Sequence, residues 1–127
     1  MERRKNQRLP IAMKAEIYVP GKCKYEGQTR DISFGGAFVT FSPVPEIEEG
    51  ENAVLSIFLQ EQPTELAIRI WSSVTHVQED GLGFGFININ IEDYTHFRQM
   101  MVFNSPDPEA LQEELREHHG LEVLKDE

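Results

Sequence analysis

The sequence predicts a mainly β protein in which about six short antiparallel strands form a barrel or a sandwich, followed by two helices. Apolar and polar residues alternate in successive short segments, which is typical of half-buried strands. Turn signals containing Gly and Pro separate these segments, and the spacing becomes helical after residue 90. At 127 residues, the chain is expected to form one domain that buries a core without disulfides.

Six segments carry the strand predictions. The first is "IAMKAEIYV", whose apolar face comprises Ile11, Met13, Ala15, Ile17 and Val19. "KYEGQTRDI" is a more polar strand, and "AFVTF" is a short one that ends at a loop containing prolines. "NAVLSIFLQ" and "TELAIRIWSSVTHVQE" alternate again, and "DGLGFGFINI" supplies the last strand after an Asp-Gly turn.

Two helices are predicted after the strands. Asn90 is the expected N-cap of "IEDYTHFRQMMVF". One apolar face of this helix is expected to cover an open barrel end, and it comprises Ile91, Tyr94, Phe97 and Met101. In the second helix, Asp107 is the expected cap, Pro108 the first residue and Gly120 the far end. Its thin apolar face and many acids predict a surface position, packed on its own barrel or on a second copy in a homodimer.

Charge is divided unevenly along the chain. Residues 1–30 hold eight Lys/Arg and three acids, a net of +5, whereas residues 31–127 hold four basic and nineteen acidic residues, a net of −15. The overall net charge of −10 disfavours binding to a nucleic-acid polymer or an anionic membrane, because phosphates attract broad positive surfaces. The compact basic cluster of Arg3, Arg4, Lys5 and Arg8 suits a small anion better.

Compartment signals in the sequence favour the cytoplasm. There is neither an apolar signal-peptide core nor an apolar run of membrane-spanning length. The single Cys23 excludes an internal disulfide and fits a reducing environment. We therefore expect a soluble cytoplasmic protein without membrane insertion.

The N-terminal cluster contains a candidate binding motif, because Arg4 and Arg8 are spaced as RxxxR with Arg3 directly before them. A guanidinium can grip phosphate oxygens or the O6/N7 edge of guanine as a planar fork, and it can stack on a purine. A solvated, frayed N-terminus is the competing interpretation.

A second candidate motif, DxSxxG, consists of Asp31, Ser33 and Gly36. The Asp carboxylate can accept two hydrogen bonds, which matches the N1–H and N2 amine of guanine, and the Ser hydroxyl can donate or accept beside it. The glycines allow a tight turn and leave room for a ligand. A simple Asx-type turn between two strands is the competing interpretation.

Together, these motifs resemble the hallmarks of the PilZ domain family, RxxxR and (D/N)xSxxG separated by about one hairpin. They occur here as "RKNQR" and "DISFGG", and the late strand "GLGFGF" also matches the family pattern. The resemblance covers roughly residues 3–103. It implies a six-stranded antiparallel β-barrel that binds the bacterial second messenger cyclic di-GMP, without enzymatic activity, metal or cofactor.

The resemblance also implies roles for individual residues. Arg4 and Arg8 would contact phosphates and guanine edges. Asp31 and Ser33 would read a guanine, while the neighbouring glycines keep the surface open. An Arg at the position of Arg3 is associated in this family with an intercalated ligand dimer, so two cyclic di-GMP molecules are expected per site. The complete predicted site is Arg3, Arg4, Arg8, Asp31, Ser33, Gly35 and Gly36.

The implied organisation has three parts: a basic arm over residues 1–9, a barrel with its capping helix over residues 10–104, and an acidic helix and tail over residues 105–127. The arm is expected to be free in the empty protein and clamped by ligand. We interpret the chain as a stand-alone bacterial receptor that changes its interaction surface to signal to an unidentified effector protein.

Other functional classes find less support in the sequence. Ser33 is not in a GxSxG nucleophile elbow, and adjacent His118 and His119 would diverge by about 100° on a helix. His76 and His96 are interpreted as surface or edge residues. A PilZ-like interaction module that binds no nucleotide stays an alternative, although such modules typically lack one or both motifs. An oligonucleotide-binding barrel is disfavoured by the acidic charge.

Overall fold

A computed structural model of the protein describes residues 8–60, 66–117 and 121–124. Within these ranges it is mainly β, as predicted. The elements in chain order are β1 Lys14–Tyr18, β2 Lys24–Ile32, β3 Gly36–Thr40, β4 Asn52–Gln60, β5 Leu66–Val77, β6 Gly81–Asn90, α1 Ile91–Asn104, α2 Pro108–Glu117 and β7 Glu122–Leu124.

The first six strands close into an antiparallel barrel. They are ordered β3-β2-β1-β4-β5-β6, and a further pairing between β3 and β6 joins the two edges. That closing ladder runs from Gly36 opposite Gly85 to Thr40 opposite Gly81. The predicted six-stranded barrel is confirmed, and the sandwich alternative is wrong.

The predicted inward face of the first strand is also confirmed. Ala15, Ile17 and Val19 are buried, and the residues of this face at positions 11 and 13 are half-buried. The strand itself begins only at Lys14, because the backbone amide of Met13 donates to the Thr29 side-chain hydroxyl instead of to a backbone carbonyl of β2.

Helix α1 packs on the barrel through its aromatic face. The Asn90 side chain accepts a hydrogen bond from the Asp93 amide at 2.8 Å, which confirms the predicted cap. Phe97 is fully buried and lies edge-on to two barrel aromatics, Phe34 at 5.5 Å and Phe86 at 5.7 Å between ring centroids. Ile91 is 38% exposed, so its predicted burial is wrong, because it is the first helical residue and precedes the packed turns.

The C-terminal segment packs back onto the same chain. Asp107 accepts from the Ala110 amide at 3.2 Å and Pro108 begins α2, both as predicted. Leu111 is fully buried and α2 contacts α1, so the packing on its own domain is observed. Strand β7 then pairs in parallel with β6, a strand that the sequence pattern does not predict. The predicted helix end at Gly120 lies outside the described residues.

Among the described helices, none combines the length and apolar character needed to cross a bilayer.

Candidate functional site

An open groove of about 440 Å³ lies on the outer wall of the barrel, where β3, β6 and β5 run side by side. Four of the predicted site residues contribute to it, and β5 and β6 supply the opposite side. The lining residues are Arg8, Ser33, Gly35, Gly36, Ala37, Phe38, Thr75, His76, Gly83, Phe84 and Gly85. Predicted site residues Arg3 and Arg4 lie outside the described residues.

Backbone and side-chain hydrogen bonds direct the chain before β1 toward this groove. Leu9 exchanges two backbone hydrogen bonds with Ile32, at 2.8 and 2.9 Å. Further along, the buried Thr29 hydroxyl donates to the Ile11 carbonyl at 2.6 Å and accepts from the Met13 amide at 2.8 Å. These bonds tie the segment to β2 and place Arg8 beside the end of that strand.

Arg8 and Asp31, one residue from each predicted motif, are in direct contact. The Arg8 Nε and Nη2 atoms both donate to Asp31 Oδ1, at 3.0 and 2.7 Å. The side chains are 39% and 23% exposed, so the pair is accessible from solvent. Charge-assisted hydrogen bonds of this kind orient the carboxylate beside the groove, whose lining includes Arg8 but not Asp31.

Arg30 is a second cation at this edge that the sequence pattern does not single out. Its guanidinium carbon lies 3.9 Å from the Phe38 ring centroid, its Nε lies 3.8 Å from Asp31 Oδ2, and its Nη1 lies 3.6 Å from Asp80 Oδ2. A β-bulge between Thr29 and Asp31 leaves Arg30 as the extra residue of β2. Asp31 therefore lies between two guanidinium groups.

Ser33 organises the loop between β2 and β3. Its hydroxyl oxygen accepts from the amides of Gly35 and Gly36, at 3.2 and 3.1 Å, and its own amide donates to the Gly36 carbonyl at 2.8 Å. The residue is only 2% exposed. In this conformation the hydroxyl shapes the loop, and its predicted contact with a guanine stays a prediction.

Gly36 allows β3 to approach β6 closely. A Cβ built on this residue would lie 2.3 Å from the Phe84 carbonyl oxygen. The requirement for glycine is therefore steric, because β3 begins here as a member of the closing ladder. Its φ is not positive, unlike those of Gly21 and Gly50.

We therefore expect Gly36→Ala to lower the free energy of unfolding by about 1–3 kcal/mol, because the methyl group forces two paired strands apart. Urea denaturation measures this loss. Gly85→Ala is the matched control, since its Cβ would meet only the Thr75 side-chain methyl, at 3.0 Å. The control should lose less than about 1 kcal/mol, and equal losses in the two variants would contradict the steric explanation.

The sequence and the fold were compared with those of known proteins. The sequence profile of the PilZ domain family matches residues 2–103. The chain belongs to the PilZ domain family. No curated protein was found to match it in sequence.

Solved structures share the fold at low identity. The inhibitor of motility MotI/DgrA of Bacillus subtilis has a TM-score of 0.63 at 19% identity; the match covers 92% of this chain and 52% of MotI/DgrA, so this chain spans about half of that protein. The PilZ domain of CeSA from a cellulose-synthesizing bacterium has a TM-score of 0.62 at 17% identity, over 78% of this chain and 99% of that domain. The PilZ domain of YcgR from Escherichia coli, solved with c-di-GMP, has a TM-score of 0.63 at 14% identity, over 91% of this chain and 96% of that domain.

Proposed function

We propose that this PilZ domain is a receptor for cyclic di-GMP. The observation that supports this most is the contact between Arg8 and Asp31 at the edge of the groove. It brings together a guanidinium, a group that can grip phosphate as a planar fork, and a carboxylate, a group that can accept hydrogen bonds from guanine. The proposal includes a bacterial cytoplasmic location and assigns no catalysis to the chain.

Ligand binding would exchange the contact between the two side chains for contacts with the nucleotide. Arg8 holds only one oxygen of Asp31, and an accessible ion pair contributes about 0–1 kcal/mol, so opening it costs little. The N1–H and N2 amine of a guanine would then bond to the carboxylate, while Arg8 turns to a phosphate. The exchange is favoured because one accessible ion pair is replaced by charge-assisted hydrogen bonds from both side chains to the ligand, each contributing about 1.5–3 kcal/mol once the ligand excludes water.

The remaining site residues have proposed roles around this centre. Arg4 supplies a second guanidinium, and Arg3 stacks between bases so that two ligand molecules share the site. Ser33 holds the loop so that Gly35 and Gly36 leave its surface open to the ligand, a role supported by its hydrogen bonds within the loop.

The output of the receptor is proposed to be a changed surface that an effector protein recognises. Phe34 lies within the DISFGG loop, and its ring packs edge-on against Phe97 of α1 at 5.5 Å. A loop that moves or stiffens on ligand binding would therefore act directly on α1. This contact supports α1 as the element that passes the signal onward.

Isothermal titration of the purified protein with cyclic di-GMP, with GTP as the control nucleotide, tests the proposal. Saturable binding of cyclic di-GMP that GTP does not reproduce is the expected result. Absence of saturable binding would overturn the receptor function and favour an interaction module that binds no nucleotide.

Arg3→Leu tests the number of ligands. We expect the titration endpoint to fall from two cyclic di-GMP molecules per chain to one, because leucine cannot stack as a planar cation between bases. Lys5→Leu is the matched control, since it removes one positive charge from the same arm and should keep the endpoint at two. An unchanged endpoint in Arg3→Leu would remove the proposed role of this residue.

A further inference from the structure

Two consecutive side chains of β5, Thr75 and His76, both face outward on the groove wall. Regular strands alternate, so this arrangement needs an irregularity. The pairing with β6 supplies it: Val74 is opposite Phe84 and His76 is opposite Gly83, which leaves Thr75 as the extra residue of a β-bulge. Bulges re-aim side chains and are over-represented beside functional sites.

The floor of the groove beneath these residues is glycine backbone. A Cβ on Gly83 would lie 3.1 Å from His76 Cδ2, so the imidazole rests on the backbone of β6. From the other side, Phe38 of β3 is also opposite Gly83. The Phe38 ring itself lies over Gly81, where a Cβ would be 2.6 Å from Phe38 Cε2, so glycines of β6 let both aromatic side chains lie against the strand backbone.

Strands β3 and β6 separate His76 from the centre of the proposed site. Asp31 is opposite Phe38, Phe38 is opposite Gly83, and Gly83 is opposite His76, on four adjacent strands. Neighbouring strands are about 4.8 Å apart, so Asp31 and His76 are separated by on the order of 14 Å along the wall. One purine base cannot contact both residues, whereas a ligand with two guanine bases can.

We propose that the ligand site extends across β6 onto β5, and that His76 stacks on a guanine base at the end of the groove opposite Asp31. This inference rests on the proposed function. The imidazole is exposed and planar, and it lines the groove above the backbone of Gly83. Stacking on an aromatic side chain is a general mode of nucleobase binding.

A purely structural role for His76 makes a different prediction. An aromatic ring over a cross-strand glycine shields backbone hydrogen bonds and pins the register of the strands. In that case, removing the ring would change the free energy of unfolding and leave the affinity for nucleotide unchanged. Affinity and unfolding therefore have to be measured on the same variants.

The test compares cyclic di-GMP affinities of the full chain and of three variants by isothermal titration. His76→Ala is expected to bind about tenfold more weakly, and His76→Phe to stay within about twofold of the unaltered protein, because phenylalanine keeps the stacking face. His96→Ala on α1 is the matched control, since His96 lies outside the groove lining, and it should bind like the unaltered protein. Proton NMR of the unaltered protein adds a second readout: the ring resonance lost in His76→Ala should shift when cyclic di-GMP is added.

Each outcome decides the inference. If the unaltered protein binds but His76→Ala binds equally well, or the ring resonance does not shift, His76 lies outside the site and the receptor function stands. If His76→Ala and His76→Phe are equally weakened, stacking is wrong. If the unaltered protein does not bind cyclic di-GMP at all, the proposed function and this extension fall together. Urea denaturation of each variant verifies that the compared chains are folded.

Discussion

Arg8→Ala is expected to weaken cyclic di-GMP binding at least tenfold and to approach its complete loss. The substitution removes a guanidinium whose charge-assisted hydrogen bonds contribute about 1.5–3 kcal/mol, and each 1.4 kcal/mol corresponds to a factor of ten in affinity. The fold should be almost unaffected, with the free energy of unfolding changed by less than about 1 kcal/mol, because the Arg8–Asp31 pair is partly exposed. Isothermal titration and urea denaturation measure the two quantities.

Arg69→Ala is the matched control for this prediction. Arg69 is an exposed arginine on β5 that lies outside the groove lining, and its removal changes the net charge of the chain by the same amount. A general electrostatic attraction between the protein and a dianion would be weakened alike in both variants. Equal affinities for the two variants, or full affinity in Arg8→Ala, would contradict the assignment of Arg8 to the site.

Strands and helix caps were predictable because their signals are local. The alternation that buries Ala15, Ile17 and Val19 follows from the two-residue period of a strand facing one core. The caps at Asn90 and Asp107 depend on a side-chain oxygen and an amide three residues away, so short-range chemistry determines them.

Strand β7 was not predictable, because no local sequence signal specifies it. Its three residues carry no period that distinguishes a strand from a tail. Its parallel pairing with β6 depends on how α1 and α2 return the chain to the barrel edge. Burial of Leu111 and Leu121 accompanies that return, and neither residue belongs to a long apolar stripe.

Part of the candidate site could be found from motif chemistry and part could not. Residue spacing alone does not bring Arg8 to Asp31, 23 positions away; the bridge between Leu9 and Ile32 does. Arg30 and His76 face outward where they do because of two β-bulges, and a bulge is a property of strand pairing rather than of one strand. A sequence read segment by segment therefore assigns His76 to an ordinary strand edge.

Phe97→Ala is expected to lower the free energy of unfolding by about 3–5 kcal/mol, the largest effect on stability among these substitutions. Phe97 is fully buried between Phe34 and Phe86, and alanine would leave a cavity lined by both rings. Domains of this size are stable by about 5–15 kcal/mol, so a large share of the stability would be lost. Urea denaturation followed by circular dichroism measures the change.

The same helix provides the control. Phe103 is 87% exposed, so Phe103→Ala should change the free energy of unfolding by no more than about 0.5 kcal/mol. Both variants lose the same aromatic side chain from α1, and only their contacts with the barrel differ. Similar losses in the two variants would show that α1 is not held on the barrel by the Phe97 contacts.

The milder substitution Phe97→Leu extends this prediction from stability to ligand binding. Leucine keeps the position apolar but removes the edge-on contact with Phe34, which lies between Ser33 and Gly35 of the loop that borders the groove. If α1 and the loop are coupled, affinity for cyclic di-GMP should fall although Phe97 does not line the groove, and Phe103→Leu should leave the affinity unchanged. Coupling between two sites is reciprocal, so a loss of affinity in Phe97→Leu would mean that bound ligand in turn acts on α1. Unchanged affinity in a folded Phe97→Leu protein would remove α1 as the route of the signal and direct attention to surfaces beside the groove itself.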